Sequence, residues 1–224
     1  MKKIKREAIV GTIGLSVTSG ITALAMTVIA IFQNSFCEMH GYTATQFSVA
    51  LSLFSGAGIV TGVFLGKLVS KFGIKKLAIA ASISPAIALI GMRFSGSIII
   101  AYVFAIVSGL LVALSTTAVL NLYIGSWFNK GKGTMTSVGQ TIATLFSIVF
   151  VPVVTSLLVA QGAEKASIFV GIIMLAVGIA GALFVKGMPS EYGVEPVDIV
   201  ERKTTENDAA ASTEIYDVQM PAVK

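Results

Sequence analysis

Six long apolar runs alternate with short polar stretches along the chain, at about residues 8–32, 46–69, 77–94, 98–124, 134–160 and 166–185. As an α-helix each is long enough to cross roughly 30 Å of hydrocarbon, the third being the shortest. The pattern predicts an all-α membrane protein: a six-span transmembrane bundle over 8–186, a basic segment over 1–7 and a polar segment over 187–224. The first run outlasts the 7–15-residue apolar core of a signal peptide and has no small-residue cleavage site after it, so it predicts an uncleaved first span. Pro85 and Pro152 predict bends within the third and fifth runs. In the second run Gly58, Gly62 and Gly66 recur four apart. Small residues at that spacing predict a ridge against which a neighbouring helix packs closely.

Composition agrees with the pattern. Hydrophobic residues make up 55% of the chain and charged ones only 12%, at a mean hydropathy of +0.89. A soluble domain carries about a quarter charged residues. Of the 16 Lys and Arg, only Arg93, at the far end of the third run, and Lys165, between the fifth and sixth, lie on the side opposite the rest, which fall in residues 1–7, 66–76, 130–132 and from Lys186 onward. This asymmetry predicts that both termini are cytoplasmic. The net charge of +5 is spread over short loops, which argues against a nucleic-acid partner. Cys37 and His40 are the sole residues of their types. They exclude an intramolecular disulfide and a Cys/His metal cluster, and both are expected in a solvent-exposed loop over Gln33–Thr45. No metal, cofactor or catalytic constellation is expected, so the chain reads as a non-enzyme. Residues 187–224, with eight carboxylates and three prolines, read as a disordered cytoplasmic linker or tail.

No Asp or Glu lies inside an apolar run, so the spans offer no carboxylate for proton coupling. Their polarity is neutral. Ser137, Gln140, Thr144 and Ser147 share one helical face of the fifth run; Thr18, Thr22 and Gln33 lie on a stripe of the first. Gly109, Ala113, Thr117 and Asn121 form a four-residue series on the fourth. Two readings stay open for these groups: a solute pathway, or hydroxyls bonding their own backbone beside small residues that pack helices.

The turn between the second and third runs reads G-K-L-V-S-K-F-G-I-K-K from Gly66 to Lys76. In its spacing of Gly66, Lys71, Gly73 and Lys75 it resembles the signature loop of the major facilitator superfamily. Ser70 stands where that family usually has Asp, and Ile74 where it often has Arg. The family's Asp caps a helix and latches one conformational state; Ser70 offers a hydroxyl cap without the charge. A second stretch, from Gly125 to Gly139, is similar to the W-F-x-K/R-x-K/R-G loop of the oxalate/formate-antiporter and monocarboxylate-transporter branch. Trp127, Phe128, Lys130, Lys132 and Gly133 match it, and Gly139 closes the stretch; Met135 stands where that branch usually has Ala and Ser137 where it usually has Gly. Trp127 and Phe128 suit the headgroup level of a bilayer.

The resemblance implies a transporter in the plasma membrane that moves a small solute, an organic anion such as a mono- or dicarboxylate, by alternating access. The family's spans one, two, four and five surround the cavity, which points to Gln33, Thr117, Asn121, Tyr123, Gln140 and Thr144 as pathway residues. It also implies twelve spans in two halves, each of 3+3 inverted repeats. Six runs correspond to one half, so a second half or a homodimer is the expected partner, beside the lipid bilayer. The competing reading is a truncated, transport-inactive membrane module or gene fragment with an assembly or regulatory role.

Overall fold

The computed structural model of the chain describes residues 2–189, with side chains from Arg6 onward. The expected tail therefore lies outside the described residues, apart from its first three positions. Seven α-helices follow one another: α1 (Lys2–His40), α2 (Ala44–Phe72), α3 (Ile74–Ser82), α4 (Ser84–Arg93), α5 (Ile98–Val112), α6 (Thr117–Trp127) and α7 (Lys132–Phe184). A 3₁₀ turn, Ala113–Ser115, joins α5 to α6. Among the described residues, five helical runs are long and apolar enough to cross a membrane: Arg6–His40, Ala44–Phe72, Ile74–Arg93, Ile98–Trp127 and Lys132–Phe184.

The last of these has 53 residues, about 80 Å if straight and more than twice a bilayer core. It is not straight. Gly162 takes φ 74°, ψ 162°, a conformation reserved for glycine, and interrupts the helix. Beyond it the chain folds back along α1. Gly20 of α1 lies against the backbone of Ala143, and Gly14 of α1 meets the backbone of Gly181. Ala143 and Gly181 stand the same number of residues before and after Gly162, so the two arms run antiparallel beside one helix. The sequence pattern separates these arms at 160–166, and the break falls inside that interval.

Several helix ends differ from the expected ones. The loop expected over Gln33–Thr45 shrinks to three residues, because α1 continues through Asn34–Cys37–His40. Cys37 is half-buried against the apolar core at that end, and the His40 ring stacks on Tyr42 at 5.2 Å. Neither is the exposed loop residue that polarity alone predicts. Thr43 then caps α2 in a reciprocal box with Gln46, which fixes the start of the helix. Pro85 breaks the third run as expected, dividing it into α3 and α4 after Ile83. Pro152 instead sits within a helix whose only non-helical residue is Gly162.

Two apolar clusters close the ends of the bundle. One gathers Tyr123, Trp127 and Phe128 with Ile74 and Val185; the other gathers Phe32, Phe36 and Phe47 with Met92 and Val170. Between them lies a layer of small buried hydroxyls that bond backbone carbonyls across helices. Thr18 donates to Gly178 (3.2 Å), Thr22 to Ser115 (3.1 Å) and Ser84 to Ser108 (2.8 Å). The Thr22 bond satisfies a carbonyl at the 3₁₀ break, where the ordinary helical pattern ends. The first run's Thr18 and Thr22 are thus packing residues, fully buried.

The glycine ridge of α2 forms only in part. Gly58 packs against the Gly109 carbonyl of α5, whereas Gly62 and Gly66 have nothing within 4 Å. Positions four apart advance by about 40° per step on a helix, so Gly66 lies some 80° around from the contact. The tighter approach is Gly109 itself, which is pressed onto the backbone of Phe54.

Candidate functional site

The signature turn is built as its glycines require. Gly73 ends α2 with φ 77°, ψ 151°, its N–H donating to the Val69 carbonyl (2.9 Å), and at once starts α3. Ser70 does not cap the following helix; its hydroxyl donates to Lys67 of its own helix (3.0 Å), and no side chain caps α3. Lys71 sits 5.5 Å over the Phe72 ring, while Lys75 and Lys76 are exposed in the first turn of α3.

The second loop is a staple rather than a lipid-facing anchor. Trp127 and Phe128 are 2% and 0% exposed, so their rings pack within the protein rather than face lipid headgroups as their aromatic character predicts. The Trp127 indole N–H donates to the Gly187 carbonyl (3.2 Å), tying the end of α6 to the chain that follows α7. Lys130, Lys132 and Gly133 are exposed. Gly139 is buried where α7 meets α1 and α6; an added Cβ would lie 2.9 Å from the Ser16 hydroxyl and 3.1 Å from Leu120. These lysines share an end with the 66–76 turn, and Arg93 pairs with Glu164 at the other (3.6 Å).

Five of the six expected pathway residues are accessible on the isolated bundle. Thr117, Asn121 and Thr144 are exposed, and Gln33 and Gln140 half-exposed. Tyr123 stands apart: it is 0% exposed, packs against Gly11 of α1 and tilts against Trp127 at 6.0 Å. The four-residue series on the fourth run is also cut by the 3₁₀ turn, which leaves Gly109 and Ala113 buried but turns Thr117 and Asn121 outward. Thr144 donates to the Gln140 carbonyl (2.9 Å), as an ordinary helical threonine does. The side-chain amides of Gln33, Asn121 and Gln140 make no hydrogen bond among the described residues.

Depth matters for those amides. Asn121 is six residues from the end of α6, about 9 Å along the axis, and Gln140 eight residues from the start of α7, about 12 Å. Both helix ends lie at the same side of the bundle, so the two amides stand at similar depth inside the apolar runs. An amide left without a partner in hydrocarbon costs a few kcal/mol. Ser48, Ser52 and Ser55 add a second exposed polar row, on α2, spaced at three to four residues in the sequence and absent from the expected pathway; Ser55 donates to Met26 of α1 (3.6 Å). Much of the rest of the outside is apolar, with Ile59, Val63, Ile99, Ile148 and Val159 all more than 60% exposed. Among the described residues no group of His, Cys, Asp and Glu could hold a metal ion.

No curated protein matches the chain. A family model does: residues 11–210, nearly the whole chain, match the Major Facilitator Superfamily. The match takes in both loops and, from residue 11 onward, all five apolar helical runs described above, and the chain belongs to the Major Facilitator Superfamily of membrane transporters.

Proposed function

We propose that this bundle is one half of a facilitator-type transporter, moving a small organic anion such as a mono- or dicarboxylate across the plasma membrane. In this reading Lys132–Phe184 crosses the bilayer twice, giving six spans with both termini cytoplasmic. A second six-span half completes the pathway, and the two rock about a site between them. The observation that carries the reading is the pair of unbonded amides, Asn121 and Gln140, at matching depth on the accessible side of α6 and α7. A lipid-facing surface has no use for them, whereas a water-filled cleft hydrates them and gives a solute donors and acceptors. Gln33, Thr117 and Thr144 extend the same polar lining. The apolar runs hold no acidic residue, and no cation lies in their middle. The counter-charge for an anion therefore comes from the second half, and antiport of one anion for another needs no proton relay here.

The test is uptake of labelled oxalate, formate and lactate by proteoliposomes holding the assembled transporter. Asn121→Ala and Gln140→Ala should each lower saturable uptake about tenfold, the loss of roughly one hydrogen bond's 1.4 kcal/mol, with thermal stability unchanged. Uptake unaffected by both substitutions would remove the pathway assignment.

A further inference from the structure

An open groove of about 490 Å³ runs along the outside of the bundle between α2, α3 and α5. Its walls are apolar along its length, with Leu68, Leu111 and Leu114 among them. One end is marked by Thr61, whose hydroxyl already bonds the Ala57 carbonyl of its own helix (3.4 Å) and so asks for no polar ligand. The other end is cationic. Lys76 lines it directly, and Lys71 holds its ammonium over the ring of Phe72, another lining residue. No carboxylate among the described residues lies within ion-pair distance of either lysine.

The dimensions fit the membrane that family membership supplies. From Thr61 to Phe72 the groove follows eleven residues of α2, about 16 Å. That is half of a hydrocarbon core of about 30 Å, the depth of a single leaflet. The lysines occupy the α2–α3 turn, where the chain leaves the apolar layer and where headgroups lie. Apolar walls of one-leaflet length, ending in two ammonium groups, match a molecule with one apolar chain and one anionic head.

We propose that the groove is a binding site for an anionic glycerophospholipid: an acyl chain lies along Leu68, Leu111 and Leu114, and the headgroup phosphate sits between Lys71 and Lys76. A helix of another protein is a poorer occupant. It would continue through both leaflets, past the point where the groove stops, and would leave the lysines without an anion. The site depends neither on which side of the membrane the turn faces nor on the solute proposed above.

Native mass spectrometry of the full chain tests this. The protein is released from micelles containing equal amounts of a phosphatidylglycerol and a phosphatidylcholine with identical acyl chains. Each lysine near a headgroup contributes about 1 kcal/mol toward an anionic lipid. Retention should therefore favour phosphatidylglycerol by roughly 30-fold, which is about 2 kcal/mol. Lys71→Gln with Lys76→Gln should abolish the preference, while Lys165→Gln, at the opposite end, should leave it intact. Ala80→Phe, which fills the groove, should lower retention of both lipids. Inorganic phosphate and a dihexanoyl phosphatidylglycerol at the same concentration should not be retained, which separates a whole lipid from a bare headgroup. Equal retention of the two lipids by the unaltered chain, or a preference that survives the paired lysine substitution, overturns the proposal. So does efficient cross-linking of two chains through Ala80→Cys in a Cys37→Ser background, because protein would then fill the groove. The lysine variants alter exposed side chains only, so the test stands even where Ala80→Phe fails to fold.

Discussion

Gly109→Ala adds one methyl group at the closest helix contact on the α2 side of the bundle. The new Cβ would collide with the Phe54 carbonyl oxygen and stand 2.8 Å from its carbon and 3.0 Å from its Cα. All three atoms are backbone, so no rotamer change relieves them. To bring the carbonyl carbon from 2.8 Å to the 3.4 Å of ordinary contact, α2 and α5 must separate along much of their shared length. The same shift loosens Gly58, now 3.4 Å from the Gly109 carbonyl. Overpacking of this kind costs about 1–3 kcal/mol. Helix propensity returns up to about 1 kcal/mol for Gly→Ala; with backbone as the obstacle the overpacking cost lies in the upper part of its range, about 2–3 kcal/mol, leaving a net loss of about 1–2 kcal/mol. For a chain of this size that lowers the unfolding midpoint by roughly 2–8 °C. The control is Gly62→Ala, on the same ridge but with nothing within 4 Å; it should keep or slightly raise the midpoint. The assay is the fraction of monodisperse protein after heating in detergent. A Gly109→Ala chain as stable as the parent, or a Gly62→Ala chain equally weakened, would refute the packing argument.

Three further outcomes follow from particular contacts. Trp127→Phe removes the indole bond to Gly187 while keeping most of the buried ring, and should cost about 1 kcal/mol in the same heating assay. Thr22→Val keeps the shape but removes the donor to the Ser115 carbonyl at the 3₁₀ break, and should cost about 1–3 kcal/mol; a neutral result would show that the break is satisfied another way. With Cys37 replaced by Ser, a cysteine at exposed Glu38 should react with a membrane-impermeant thiol reagent from outside intact cells and one at exposed Asn129 should not. The opposite labelling pattern reverses the orientation.

Much of the architecture is legible in the sequence because hydrocarbon imposes a length and apolarity that few other folds need. The runs at 46–69 and 98–124 reappear within Ala44–Phe72 and Ile98–Trp127, and Pro85 marks the division of the third. What the pattern misreads is decided by partners that composition does not name. Asn34 to His40 are polar enough to suggest a loop, yet they extend α1 because Phe36 and Cys37 join the core there. The turn at Ala113–Ser115 interrupts a run with no proline, whose one glycine, Gly109, lies inside the helix before it; only the cluster Ser115-Thr116-Thr117 hints at the break. Gly58, Gly62 and Gly66 advertise a contact surface, but the tightest approaches to another helix's backbone fall to Gly109 and Gly14, whose partners are set by tertiary placement. Within the candidate site, Asn121, Gln140 and Thr144 keep the accessible positions that helical spacing assigns them. Tyr123, two residues beyond Asn121, turns about 200° away and into the core. Trp127 follows the same inward face, so its ring meets protein where residue type alone suggests contact with lipid headgroups.

In the proposed function one bundle does not make a pathway, and uptake per chain as a function of chain density tests this. Proteoliposomes are prepared from many chains per vesicle down to at most one, and saturable uptake of labelled oxalate, formate or lactate is divided by the number of chains. If the transporter requires two halves, uptake per chain disappears in vesicles that hold a single bundle. Uptake per chain that stays constant down to single-bundle vesicles would contradict the account, because one bundle would then enclose the whole route.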